Sequence, residues 1–232
     1  MAALNMTKRA MSAAEKFFFD LNGFIIVRGA LSADEVKQMH TSIDKHLDVA
    51  KARSAAALKN TIKDSPMSAQ GSRTDMGGML GWEDGEMFRR LLVHRNLSYY
   101  LTDLLGEGYR LDHQPMVLIQ DKESEGFMLH GGPVSGHDGV PEGRFNPELQ
   151  YRCHNGTIWN SLLAMSVCLT DSKEGDGGWC GLRGSHKMNF AVPNDFIHGM
   201  MDGFKDHIWQ PAVKAGDVIL FSEGVLSVMY FN

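Results

Sequence analysis

Tyr151-Arg152-Cys153-His154-Asn155-Gly156-Thr157-Ile158-Trp159-Asn160, running on to Leu169, is the stretch whose reading decides the fold. Residues 151–153 and 158–169 are extended in character and flank the turn His154-Asn155-Gly156. An Asn-Gly pair between two such runs is a strong hairpin signal, because a tight two-residue turn needs positive φ at both central positions. A hairpin is antiparallel by construction. Working outward, residues 109–120 and 127–131 read as strands before it, and residues 179–182, 208–213 and 218–221 as strands after it. No helix alternates with these strands, so βαβ units and a parallel sheet are not expected.

Helices lie on the N-terminal side. A short helix carrying Phe17, Phe18 and Phe19 precedes the turn Asn22-Gly23 and the apolar run Phe24-Ile25-Ile26-Val27. Ser32 with Glu35 three residues later makes a capping box. Val36, Met39, Ile43 and Leu47 then recur at helical spacing, which predicts a helix to about Leu58. Residues 60–85 are rich in Ser, Gly, Asp and Met and predict a long loop, a lid over a pocket or a disordered connection. Residues 86–105 predict a second helix with Phe88, Leu91, Leu92, Leu101 and Leu105 on its apolar face, ended by Gly106. Helices first and antiparallel strands afterwards give an α+β protein whose sheets form a sandwich or jelly roll.

Hydrophobic residues make up 43% and charged residues 22%, which suits one well-buried globular domain spanning 1–232. The net charge of −5 and the lack of a Lys/Arg block argue against nucleic acid as a partner. No apolar run reaches signal-peptide or membrane-span length, so a cytoplasmic location is the default expectation and no membrane span is expected. Cys153, Cys168 and Cys180 form no CxxC pair and suggest neither a zinc site nor a disulfide framework. There is no Gly-x-Ser-x-Gly elbow, P-loop or dinucleotide fingerprint.

Three further segments bear on chemistry: residues 24–32, leading into the capped helix; Leu129-His130-Gly131-Gly132-Pro133; and residues 176–187, which end in Gly-Ser-His-Lys, followed by Lys214-Ala215-Gly216-Asp217-Val218-Ile219-Leu220-Phe221. In this order the chain resembles the phytanoyl-CoA dioxygenase (PhyH) family over about residues 17 to 223. The resemblance implies a double-stranded β-helix (jelly roll, cupin-like) with N-terminal helices packed on one sheet. It also implies iron(II) and 2-oxoglutarate, with O2, acting on a small organic or lipid-like substrate.

Such iron needs three protein ligands on one face and three open positions. A His-x-Asp/Glu pair on a strand supplies two, since residues two apart point to the same side. By context His130 is the first ligand. Gly132 stands where the family pattern places a carboxylate, and Asp138, in Gly136-His137-Asp138-Gly139, is an alternative carboxylate if its loop folds back. A glycine at the carboxylate position also occurs in related halogenases, which makes halogenation a weaker alternative. Ser227 stands where the second histidine is expected. No histidine follows His207, and no Lys or Arg follows Lys214 to pair with the oxoacid. Gln120 and Asn160 occupy strand ends that face the oxoacid in such barrels. His186 of Gly-Ser-His-Lys reads as a structural, turn-holding residue rather than a ligand.

Two readings compete. The first is an oxygenase whose last strands, with the missing His and Arg, are absent; the exposed edge then predicts poor solubility or self-association. The second is a non-catalytic jelly-roll binding module that keeps the scaffold without its site.

Overall fold

The computed structural model describes residues 9–53, 65, 67, 73–120, 126, 128–134 and 144–230. In chain order its elements are α1 (Ala13–Asn22), β1 (Phe24–Val27), α2 (Ala33–Lys45), β2 (Lys51–Arg53), β3 (Arg73–Met76), α3 (Glu86–Arg90), α4 (Ser98–Leu105), β4 (Val117–Gln120), β5 (Tyr151–His154), β6 (Thr157–Asn160), β7 (Leu163–Val167), β8 (Gly178–Gly181), α5 (Asn194–Ile197), α6 (Phe204–His207), β9 (Val218–Ser222) and β10 (Ser227–Tyr230).

The strands form antiparallel sheets in the orders β1-β9-β7, β2-β3-β4, β8-β10 and β5-β6. Central strand β9 is buried at all five positions. Alternate residues of a strand point to opposite faces, and here the two faces feed two cores. Val218 and Leu220 pack with Phe19, Val36, Met39, Leu101 and Leu104 of the helical layer. Ile219 and Phe221 pack with Phe24, Trp179 and Val225 on the other side. A sheet covered by helices on one face and by a second sheet on the other is the architecture expected from the order of elements.

Local chemistry explains where elements begin and end. Ser12 and Ser32 each accept from the N–H three residues on, while Glu15 and Glu35 bond back, so α1 and α2 both open on capping boxes. Gly23 closes α1 in the left-handed region at φ 84°. The Asn155-Gly156 turn has φ 48° and 77°, the positive pair that a type I′ hairpin requires.

Several boundaries differ from the sequence expectation. The helix predicted to Leu58 ends at Lys45, with residues 54–58 outside the described residues. His46 leaves the helix because its ring stacks on Trp82 at 4.1 Å and bonds Asp84 at 3.0 Å. The helix predicted over 86–105 breaks at His94, whose ring bonds Glu35 of α2 at 3.0 Å while Asn96 donates to the Ala30 carbonyl at 2.9 Å. The loop predicted over 60–85 contains β3, which pairs on both sides. The strand predicted over 158–169 is two strands in two different sheets. Residues 208–213 contribute only single bridges, Gly181–Trp209 and Ser172–Val213.

Candidate functional site

Two motifs singled out in the sequence build scaffold. Asp217 accepts from the backbone N–H groups of Gly29 (2.8 Å) and Lys214 (2.9 Å) and pairs with Arg28 at 2.7 Å. Burial opposes its ionisation, yet these bonds hold its carboxyl below the usual range. His186 donates from Nε2 to the Asp20 carbonyl at 3.0 Å and meets the Tyr151 ring edge-on at 4.5 Å. Burial first, and the neighbouring Lys187 second, push its pKa down to about 4, so the ring is neutral. A Cβ on Gly23 would come within 2.5 Å of His186 Nδ1, which is why helix α1 ends on glycine here. The turn-holding reading of His186 agrees with this geometry.

The strand predicted over 127–131 is reduced to a single bridge, with residue 127 outside the described residues; in that bridge His130 lies opposite Ser227, outside the named strands. The two exchange both backbone hydrogen bonds, at 3.1 Å and 3.0 Å, in an isolated antiparallel bridge. The ring is exposed, while Ser227 is buried at 4% exposure. Nδ1 lies 3.0 Å from the Met128 carbonyl. A carbonyl only accepts, so Nδ1 donates in this contact.

Immediately after His130 the backbone enters the left-handed region. Gly131 and Gly132 have φ 89° and 88°. A Cβ on Gly131 would lie 2.5 Å from the Val225 carbonyl oxygen, and one on Gly132 would lie 3.2 Å from Met188 Cε. The two-residue alternation behind the His-x-carboxylate expectation therefore does not operate here, and residue 132 is glycine for backbone reasons. Met188 and Leu226 fill the space beside it.

The remaining candidates are dispersed. Asp138 lies outside the described residues. Gln120 sits on β4 across from Arg73, with its Nε2 buried and unbonded. Asn160 turns to α4, where its amide donates to the Leu104 carbonyl at 3.1 Å. Gln120, Asn160 and His130 thus belong to three separate sheets or bridges. Missed in the sequence is the buried pair Arg73–Asp75, 1% and 7% exposed, joined at 2.6 Å and 3.1 Å. Its signal is an Arg-x-Asp spacing, which on a strand shares a face.

A cavity of about 590 Å³ lies between the end of α1, β5 and the 186–189 turn. Asp20, Phe145, Tyr151, Lys187 and Met188 line it, together with Pro133, three residues beyond His130. Tyr151 donates to Asp20 at 2.6 Å and Lys187 pairs with Asp20 at 2.9 Å, so the wall combines a satisfied polar network with apolar surface. Among the described residues no helix is long and apolar enough to cross a membrane.

Against iron the described donor set is incomplete. No group of three or more His, Cys, Asp and Glu side chains converges among the described residues. One imidazole, a glycine and a serine hydroxyl do not make the two-histidine, one-carboxylate face that iron(II) needs. These residues do not fit the metal by themselves, and no reaction step is assigned to them.

Among solved structures the chain is similar to HygX from Streptomyces hygroscopicus with nickel and 2-oxoglutarate bound. The TM-score is 0.72 at 20% identity, over 95% of this chain and 81% of that one. HygX with nickel, 2-oxoglutarate and hygromycin B gives 0.73 at 19% identity, over 96% and 82%. EctD from S. alaskensis with 2-oxoglutarate and 5-hydroxyectoine gives 0.59 at 23% identity, over 97% and 73%. These likenesses establish the fold as the double-stranded β-helix with N-terminal helices. No curated protein is similar enough in sequence to match. The phytanoyl-CoA dioxygenase (PhyH) profile matches residues 19–226, nearly the whole chain, and the chain belongs to that family.

Proposed function

We propose that the chain is an iron(II)- and 2-oxoglutarate-dependent dioxygenase acting with O2 on a small organic or lipid-like molecule. The observation that carries this reading is family membership across 19–226, with His130 in a bridge three residues before Pro133, which lines a cavity of small-molecule size. Structures bound to 2-oxoglutarate among its fold relatives support the cofactor assignment. In this reading His130 and Asp138 hold the metal, and Gln120 and Asn160 lie toward the oxoacid. The buried, unbonded Gln120 Nε2 and Asn160 Oδ1 are consistent with a polar ligand nearby.

Iron-dependent formation of succinate from 2-oxoglutarate by the purified protein is the test. Turnover lost in His130→Ala supports the assignment. Absence of succinate at saturating iron and oxoacid turns the balance to the second reading, a jelly-roll binding module without turnover. Ser227, buried opposite His130 where a second imidazole is expected, is the specific observation favouring that alternative.

A further inference from the structure

We infer that residue 227 governs how tightly this chain retains a divalent transition metal, and that serine there leaves His130 as the lone strong donor of the pair. The inference rests on reading His130 as a metal ligand and adds a role for its cross-strand neighbour.

The geometry of the bridge carries the argument. Because His130 and Ser227 exchange both backbone hydrogen bonds, they form a hydrogen-bonded antiparallel pair. Such pairs hold their Cα atoms roughly 5.5 Å apart with both side chains on the same face. From that spacing an imidazole and a second side-chain donor reach one ion at bond lengths of about 2.0–2.3 Å. Among the described residues, those flanking the pair offer no substitute. Gly131 and Gly132 carry no donor, and Leu226 and Val228, flanking Ser227, are apolar and each 2% exposed. A serine hydroxyl keeps its proton at neutral pH and is a poor ligand for a borderline metal that prefers imidazole or thiolate. The pair also has a wet end and a dry end: the His130 ring is exposed and Ser227 is buried. A donor at 227 would therefore close the inner side of the ion and leave its outer side open to ligands.

Cobalt(II) added to the purified full chain is the probe, read by visible absorption and by metal content after gel filtration. Wild type is expected to lose cobalt on the column. Ser227→Cys, nearly equal in volume, and Ser227→His should retain it, with titration midpoints lowered by more than the roughly tenfold that outer-shell partners already command. Adding His130→Ala to either variant should abolish the gain. If Ser227→His fails to fold, Ser227→Cys alone decides. Wild type that retains stoichiometric cobalt through His130, or folded variants that bind no more tightly than wild type, overturns the inference. Wild type that forms succinate at saturating iron yet loses cobalt on the column supports the inference and leaves the oxygenase reading intact. Variants that gain metal beside an inactive wild type support the inference and count against that reading.

Discussion

The Lys214–Asp217 turn and the His130 bridge are both built from residues of the family pattern, yet they differ in how they are held. Asp217 is buried, accepts two backbone N–H groups and pairs with a guanidinium. His130 is exposed, and its cross-strand neighbour is a serine. Packing needs the first set whether or not any chemistry occurs, because removing Asp217 leaves buried donors unsatisfied. The His130 ring, 3.0 Å from the Met128 carbonyl, is exposed and packs in none of the cores. Scaffold residues are constrained by stability and site residues by chemistry, and the two sets can be separated by measurement.

The largest expected effect is at Gly23. Gly23→Ala places a methyl 2.4 Å from Val225 Cγ2 and 2.5 Å from His186 Nδ1 at φ 84°, so we expect destabilisation of about 3 kcal/mol or more by denaturant unfolding. A cost under about 1 kcal/mol would show that the α1 terminus and the 185–187 turn are less tightly joined than described. Asp217→Ala should follow at about 2–3 kcal/mol, through loss of the Arg28 pair and of two backbone acceptor contacts.

The third effect is on pH dependence. His186 titrates at about 4 in the fold and near 6.5 when unfolded. Between those values only the unfolded chain takes up the proton. Stability is therefore complete above about pH 6.5 and declines as pH falls toward about 4. His186→Gln should flatten thermal-melting curves in that window, and a wild-type curve level from pH 7 to about 4.5 would contradict the burial of this ring. The carboxylates of Asp20 and Asp217, both held low, add a further loss below about pH 4. The smallest effect belongs to the site: His130→Ala should change stability by less than about 0.5 kcal/mol, as for other exposed positions. A large loss there would erase the contrast between the two regions.

Much of the fold was legible in the sequence because it is written in local chemistry. Ser32-x-x-Glu35 names a helix start, and Asn155-Gly156 names a hairpin, without reference to anything distant. Strand β3 was not legible, because Arg73 and Asp75 replace the apolar alternation that marks a half-buried strand. The helix break at His94 was hidden for another reason: its cause is Glu35, fifty-nine residues away in sequence. At the site, the strand read over 127–131 is a single bridge from His130 to Ser227. The sharp turn at Gly131-Gly132 could not be read, since a Cβ at 131 would meet the distant carbonyls of Glu223 and Val225 and one at 132 would meet Met188.

The Arg73–Asp75 pair has a consequence for assembly. Both side chains leave one face of β3, while Met76, 0% exposed, leaves the other and packs into the helical core with Val117 and Ile119. Sliding β3 by a single residue against β4 would drive a guanidinium and a carboxylate into that oily layer and expel the methionine. Misaligned zippering of this sheet is thus self-rejecting: the ion pair works as a proofreading tooth, admitting one alignment and ejecting the next.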